Sequence, residues 1–406
     1  WFYMINYVRF NNFYSFAEET EVSFRVGKQP TMSLYDIQLQ TVHGEEVRLN
    51  KVITTLGANG SGKTQLLKAL PFLAWFVSLS SQSLEKDDEI SFSPFKAKEN
   101  EKSTFEISFF LKKGDQDFDE YRYNLILDKE QVYFEALYVK TSRSFSYIFE
   151  RTHQDELKNY KHRNFLTPKH AKDVNKNVSL ISYANIFDNE IASSVVKFFR
   201  GFKFNLHSLG RKHSSDDDLI KISEALSKDM ELKNEVVRLL SQFDTGISDI
   251  KFEKIMLVEH NSGETKEVLM PVGIHKYNDS EMEFYFLEES NGTRSAFVLM
   301  GLLLPLLRKG GVAIIDELDN DLHPHLLPRL LDLFKHKHSN PHDAQIIFSC
   351  HTPEILNLLY KHQVYMVQKN NQESESWRLD EVTGLRADDN IYAKYMSGAL
   401  DAVPNI

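Results

Sequence analysis

Gly57-Ala58-Asn59-Gly60-Ser61-Gly62-Lys63-Thr64 fits the pattern G-x-x-x-x-G-K-[ST], and the rest of the chain is read outward from it. Before it, Leu49–Leu56 (LNKVITTL) has the β-branched content of a buried strand. After it, Gln65–Leu79 reads as an apolar helix. Glycines at these positions let the backbone close around an anion. Successive N–H groups then point inward at a helix N-terminus as a nest for phosphate. Gly57, Asn59, Gly60, Ser61, Gly62, Lys63 and Thr64 are thus expected to bind phosphates, with Lys63 reaching the β- and γ-phosphates and Thr64 placing its hydroxyl on Mg²⁺.

Such a loop needs carboxylates from a neighbouring strand. Gly311-Val312-Ala313-Ile314-Ile315-Asp316-Glu317 is an apolar run ending in two of them. Asp316 is placed to organise Mg²⁺ and Glu317 to polarise the attacking water. Phe348-Ser349-Cys350-His351-Thr352-Pro353 sets His351 just past another apolar strand, within reach of a γ-phosphate. Glu288-Glu289-Ser290-Asn291-Gly292-Thr293-Arg294-Ser295 is a Ser-x-Gly turn opening an apolar helix, a second candidate anion site.

The bulk numbers narrow the class. With 406 residues the chain is long for one domain, and 42% hydrophobic content is enough for substantial cores. A net charge of −10 argues against an overall basic surface, though not against a local patch. One cysteine, Cys350, excludes an internal disulfide and a cysteine-built zinc site, and suits a reducing cytosol. Trp1-Phe2-Tyr3 precede Met4 and read as foreign to the natural start. The apolar runs Leu70–Leu79 and Phe297–Leu307 are too short to span a bilayer, so a soluble, cytoplasmic protein is expected.

In chain order, residues 4–26 read as a two-stranded hairpin and 103–149 as an antiparallel meander. Residues 150–213 turn basic and irregular, and 214–246 turn helical behind the cap Ser214–Asp218. Strands resume at 247–287. Then come an apolar helix Phe297–Leu307, a strand Val312–Asp316, a helix Leu326–Phe334, a strand Gln345–Ser349, a helix Pro353–Tyr360, and strands Val364–Gln368 and Ser376–Leu379. This predicts an α/β P-loop NTPase with an N-terminal antiparallel β subdomain and a mixed, largely helical insertion. The expected units are 4–149, with the phosphate loop and meander; 150–247, the insertion; and 248–406, with the Ser-x-Gly turn, the carboxylates and His351. No heptad array or internal repeat is visible.

The order glycine loop, Ser-x-Gly turn, strand with Asp316-Glu317, Asp319-x-x-Leu322-His323-Pro324, then His351 resembles the ABC-type ATPase heads, in their SMC/RecF-like branch. Within that branch it resembles the bacterial AAA-type ATP-binding proteins of antiphage defence operons, including the ATPase subunit of PARIS-like systems. The opening Ile5–Phe16 and the closing Tyr395–Asn405 resemble that group's ends, and the likeness covers about 4–96 and 281–406. The resemblance implies an ATPase using ATP and Mg²⁺, with His351 as switch histidine. Asp319–His323 would meet a partner subunit. Ser290, Gly292 and Thr293 would contact the γ-phosphate held by a second copy, so the protein would act as a dimer or larger homo-oligomer. One departure stands out: the coupling glutamine of the family has no clear counterpart, with Gln82 and Gln131 as candidates lacking context.

Two functions follow. One is a sensor or scaffold subunit of an antiphage system controlling a separate effector such as a nuclease, since no second catalytic centre is visible here. The other is a DNA-repair or chromosome-maintenance ATPase clamping DNA between its heads. A GTPase is unsupported, because Asn175-Lys176-Asn177-Val178 lacks the base-reading Asp. His336, His338 and His342 read as a solvated face rather than a metal site. In 150–213, basic residues (Arg151, Lys158, Lys161, Arg163, Lys169, Lys172, Lys176, Lys197, Arg200, Lys203, Arg211, Lys212) alternate with Tyr160, Phe165, Phe198, Phe199, Phe202 and Phe204. This segment could grip nucleic acid, dock an acidic protein, or form its own small core.

Overall fold

The computed structural model describes residues 3–27, 33–114, 117–152, 159–207, 210–212, 215–243, 245–258, 265–320, 326–386 and 389–400. Two large sheets dominate. In the first, strand Tyr3–Asn11 lies between Thr20–Ser23 and a meander of Ser103–Lys113, Asp117–Leu127, Val132–Lys140 and Phe145–Thr152, all antiparallel. A hairpin of Asp36–Thr41 and Glu46–Asn50, unforeseen in the sequence, joins this sheet beside Asp117–Leu127.

The second sheet has the order Phe202–Phe204, Val312–Ile315, Gln345–Ser349, Val52–Leu56, Val364–Asn370, Glu373–Arg378. All neighbours are parallel except the last pair. Its central strands are apolar without alternation because both faces are covered. Val312, Ile314, Ile347 and Ile53 enter one core with the antiparallel sheet and helix Ala69–Ser83. Their neighbours Ala313, Ile315, Ile346, Phe348 and Val52 enter the other, with helices Met230–Gln242, Asn291–Lys309 and Leu326–Lys335. The two-residue strand period thus sorts one sheet between two cores.

Two sequence readings need correction. Leu49–Leu56 is not one strand: Glu46–Asn50 ends in the first sheet and Val52–Leu56 begins the second. Between them Lys51 is buried, its Nζ donating to the Leu34 and Lys335 carbonyls and pairing with Asp343. These partners pin the switch from sheet to sheet. Pro353–Tyr360 is not an α-helix either; a 3₁₀ turn covers Pro353–Asn357 and the chain then leaves it.

Gln345 fastens the two sheets. It is fully buried; its Oε1 accepts the Ile5 N–H at 2.7 Å, and its Nε2 donates to the carbonyls of Ile5 (3.2 Å) and Asn50 (3.0 Å). The middle of the chain contributes to both cores. Helices Leu180–Ile186 and Glu190–Arg200 pack in the first, Asp216–Leu226 and Met230–Gln242 in the second. Phe165, Phe198, Phe199 and Phe202 are buried in the first core, so they are not free to stack on bases. Lys161, Arg163, Lys169 and Lys172 remain at the surface. Among the described residues no helix is long and apolar enough to cross a membrane.

Candidate nucleotide site

The glycine loop runs from the C-terminal end of Val52–Leu56 into helix Lys63–Leu67. Two of its glycines, Gly57 and Gly62, are required by contact as well as torsion. A Cβ on Gly57 would lie 2.0 Å from the Val367 carbonyl oxygen, in the adjoining strand. One on Gly62, at φ +114°, would lie 2.5 Å from the Ser374 hydroxyl. Ser374 holds the loop from outside: its Oγ donates to the Ser61 carbonyl at 2.6 Å and shares a 2.6 Å bond with Ser15 Oγ. Lys63 is 6% exposed, and its Nζ donates to the Gly57 and Ala58 carbonyls at 2.8 and 3.0 Å. Burial lowers the pKa of this ammonium, against the carboxylates of Asp316, Glu317 and Asp319, which raise it.

The carboxylates arrive by register. Ile315 pairs with Phe348 across parallel strands, which sets Asp316 beside Ser349. Asp316 is 1% exposed. Its Oδ2 accepts from Thr64 Oγ1 at 2.8 Å and its Oδ1 from Ser349 Oγ at 2.5 Å. The same Ser349 Oγ accepts the Glu317 N–H at 2.7 Å. Glu317 sits at φ +50°, a left-handed conformation that costs a non-glycine residue about 1–3 kcal/mol. Its carboxylate faces Arg211 and Asn320, each 3.1 Å from Oε2, and His351 Nε2, 3.5 Å from Oε1. Asp319 accepts the backbone N–H groups of His351 and Thr352 at 2.9 and 2.8 Å, tying the loop after one strand to the loop after the next.

Asn59 through Gln65, Asp316, Glu317, Asp319, Asn320, His351 and Lys369 line one cavity of about 660 Å³. The structure therefore gathers Asn59, Gly60, Ser61, Gly62, Lys63, Thr64, Asp316, Glu317 and His351 from three separate parts of the chain. Ser290, Gly292 and Thr293 do not line it. They open helix Asn291–Lys309, where Ser290 Oγ caps the Thr293 N–H at 3.1 Å. Asp321, Leu322, His323 and Pro324, like Lys158, Ser214 and the chain beyond Leu400, lie outside the described residues. Neither Gln82 nor Gln131 lines the cavity.

Sequence reasoning missed Ser349, Asn205, Arg211 and Asn320. Ser349 ends an all-buried strand, directly before Cys350-His351, and a polar residue there was the available signal. Asn205 and Arg211 carry none, since only the fold brings them to Asp316 and Glu317. A larger, mostly apolar cavity of about 810 Å³ runs along helix Ala69–Ser83 and includes none of the site's carboxylates.

The residues present suit a magnesium nucleotide. Mg²⁺ takes few protein oxygens and retains water and phosphate ligands, and one hydroxyl (Thr64) beside one carboxylate (Asp316) supplies that number. The fully buried Ser61 hydroxyl has no partner and adds a polar group to the loop. Among the described residues no three His, Cys, Asp or Glu side chains form a self-sufficient metal site.

The chain is similar to several solved structures and to one protein family. Solved structures similar to the chain include an Smc head bound to the C-terminal winged-helix domain of ScpA (14% identity, 93% of this chain and 99% of that chain, TM-score 0.41). A second is an Smc head with an extended coiled coil from Pyrococcus furiosus, bound to the C-terminal domain of ScpA (12%, 93% and 97%, 0.43). A third is an Smc head with coiled coil and joint from Pyrococcus yayanosii (11%, 98% and 100%, 0.45). No curated protein matches the chain. The model of one family covers residues 56–357, well over half of the chain, from the start of the glycine loop to the turn after His351. The chain belongs to that family, described as "AAA domain, putative AbiEii toxin, Type IV TA system".

Proposed function

We propose that the protein binds ATP with Mg²⁺ in the cavity between the glycine loop and Asp316-Glu317, and hydrolyses it. The observation that carries this is the convergence of Lys63, Thr64, Asp316, Glu317 and His351 on one cavity. Bound Mg²⁺ would supply charge neutralisation across the β- and γ-phosphates. The chain's own groups do the rest. The loop N–H groups and Lys63 hold phosphate. Thr64 and Asp316 hold the metal. Glu317 accepts the proton of the attacking water, and His351, beside Glu317, donates to the γ-phosphate.

Hydrolysis requires a second copy. Ser290, Gly292 and Thr293 form a capped helix start outside their own chain's cavity, and that start would meet the γ-phosphate held by a partner. The biological role we infer is that of an ATPase sensor or scaffold in an antiphage defence system, acting on a separate effector. The family description, with its toxin–antitoxin association, supports this reading. Burial of Phe165, Phe198, Phe199 and Phe202 takes four of the six aromatic residues away from base stacking and leaves Phe204, 38% exposed, with Lys161, Arg163, Lys169 and Lys172 as a surface for phosphate or acidic side chains.

The test is the solution mass of Glu317→Gln with and without ATP, beside Lys63→Ala. We expect Glu317→Gln to form an ATP-dependent dimer and Lys63→Ala to remain unchanged by ATP. An assembly indifferent to nucleotide in both variants would refute the shared site. A dimer whose turnover rises steeply with DNA at low salt would favour the DNA clamp instead.

A further inference from the structure

Phe202–Phe204 forms the edge of the parallel sheet beside Val312–Ile315, and Asn205 follows it at the end of that strand. Asn205 is held there: its Nδ2 donates to the Asp316 carbonyl at 2.9 Å, and its Oδ1 accepts the Asp316 N–H at 2.7 Å. Leu206–His207 and Gly210–Arg211 pair antiparallel, and the Lys212 N–H closes the turn on the Asn205 carbonyl at 2.6 Å. The outcome is to deliver Arg211 to Glu317, Nη1 to Oε2 at 3.1 Å, with the guanidinium side chain only 13% exposed.

That contact bears on chemistry. A general base must offer a lone pair to the water it deprotonates. On Glu317, Oε2 is engaged by Arg211 and by Asn320, and Oε1 faces His351. A partly buried guanidinium–carboxylate bond is charge-assisted and among the stronger side-chain hydrogen bonds. We propose that Arg211 is a positioning residue that restrains Glu317 through Oε2 as a latch, so that hydrolysis is faster when the Arg211–Glu317 contact is broken. This rests on the ATPase reading above.

Arg211 and Glu317 share a small cavity of about 70 Å³ with Ser295, Val298, Leu299 and Leu302 of helix Asn291–Lys309, whose N-cap is Ser290. On the other side, Phe202–Phe204 follows helix Glu190–Arg200, linking the latch to the middle segment.

The experiment is steady-state ATP turnover of the full chain with Mg²⁺, for wild type, Arg211→Ala, Arg211→Lys and Glu317→Gln, each checked by thermal melting. We expect Arg211→Ala to raise kcat about fivefold or more with KM for ATP within about twofold, the effect of losing one restraining contact on the base. Arg211→Lys, which keeps the cation, should stay near the wild-type rate. If Arg211→Ala fails to fold, Arg211→Met, which retains bulk but no donor, is judged in its place. Turnover that Glu317→Gln abolishes but that the Arg211 variant does not accelerate overturns the latch alone. No turnover sensitive to Glu317→Gln in any variant overturns the ATPase reading and the latch together.

Discussion

Replacing Ser349 by alanine tests how the carboxylate pair is aimed. One fully buried hydroxyl donates to Asp316 Oδ1 and accepts the Glu317 N–H, at 2.5 and 2.7 Å. Alanine deletes both bonds and leaves both partners in place. A lost bond to a charged group costs about 1.5–3 kcal/mol and one between neutral groups about 1 kcal/mol. Part of the total is recovered by relaxation, because Glu317 is held at φ +50° and is free to give up that strain. About 2–3 kcal/mol remains, and it falls on the placement of the reacting carboxylates. At 1.36 kcal/mol per tenfold, kcat should drop about 30- to 150-fold. The Ser349 hydroxyl bonds to Asp316 and Glu317 and not to Lys63 or the glycine loop, so ATP affinity should change by less than about threefold, or about 0.6 kcal/mol. The assays are steady-state ATP turnover and equilibrium titration with a fluorescent ATP analogue. Turnover within twofold of wild type would refute the role given to Ser349. Equal losses in affinity and turnover would show that Ser349 supports the loop rather than the carboxylates.

Other substitutions follow from the same geometry. Gly57→Ala should abolish nucleotide binding, because its Cβ would meet the Val367 backbone at 2.0 Å, whereas Gly60→Ala, with nothing within 4 Å, should cost only the torsional strain of about 1–2 kcal/mol; titration with ATP separates the two. Asn205→Ala strips both main-chain partners from Asp316, and should lower the melting temperature and weaken Mg²⁺-dependent more than Mg²⁺-independent nucleotide binding. Glu135→Ala should destabilise the fold by about 3–5 kcal/mol in urea unfolding, since it leaves Arg151, 3% exposed, without its buried counter-charge. The same carboxylate also takes bonds from Tyr123, Ser179 and the Leu180 N–H, so a smaller loss would mean the network re-forms around Arg151.

The site was legible wherever chemistry depends on short-range order. A glycine loop between an apolar strand and a helix, or two carboxylates closing a strand, can be read because the residues that act are adjacent in the chain. Legibility failed where adjacency is created by folding. Ser349 meets Asp316 because the register sets it there. Arg211 meets Glu317 only through the fold, and in the sequence it was one basic residue among many. The same limit explains the misread elements. Leu49–Leu56 has strand composition throughout, and composition does not record that Lys51 passes the chain from one sheet to another.

From the sequence alone came the P-loop fold class, the meander at 103–149, and the candidates that the fold brings to one cavity: the glycine loop, Asp316, Glu317 and His351. These depend on local pattern: residue periodicity, glycine torsions and charge at strand ends. Tertiary structure decided which strands neighbour one another, that Phe165, Phe198, Phe199 and Phe202 serve the common core, and that Asn205 and Arg211 reach the carboxylates. The physical reason is that parallel strands are joined by long crossovers. Their order and register follow from how two cores pack on either side of one sheet, which no local stretch of sequence contains.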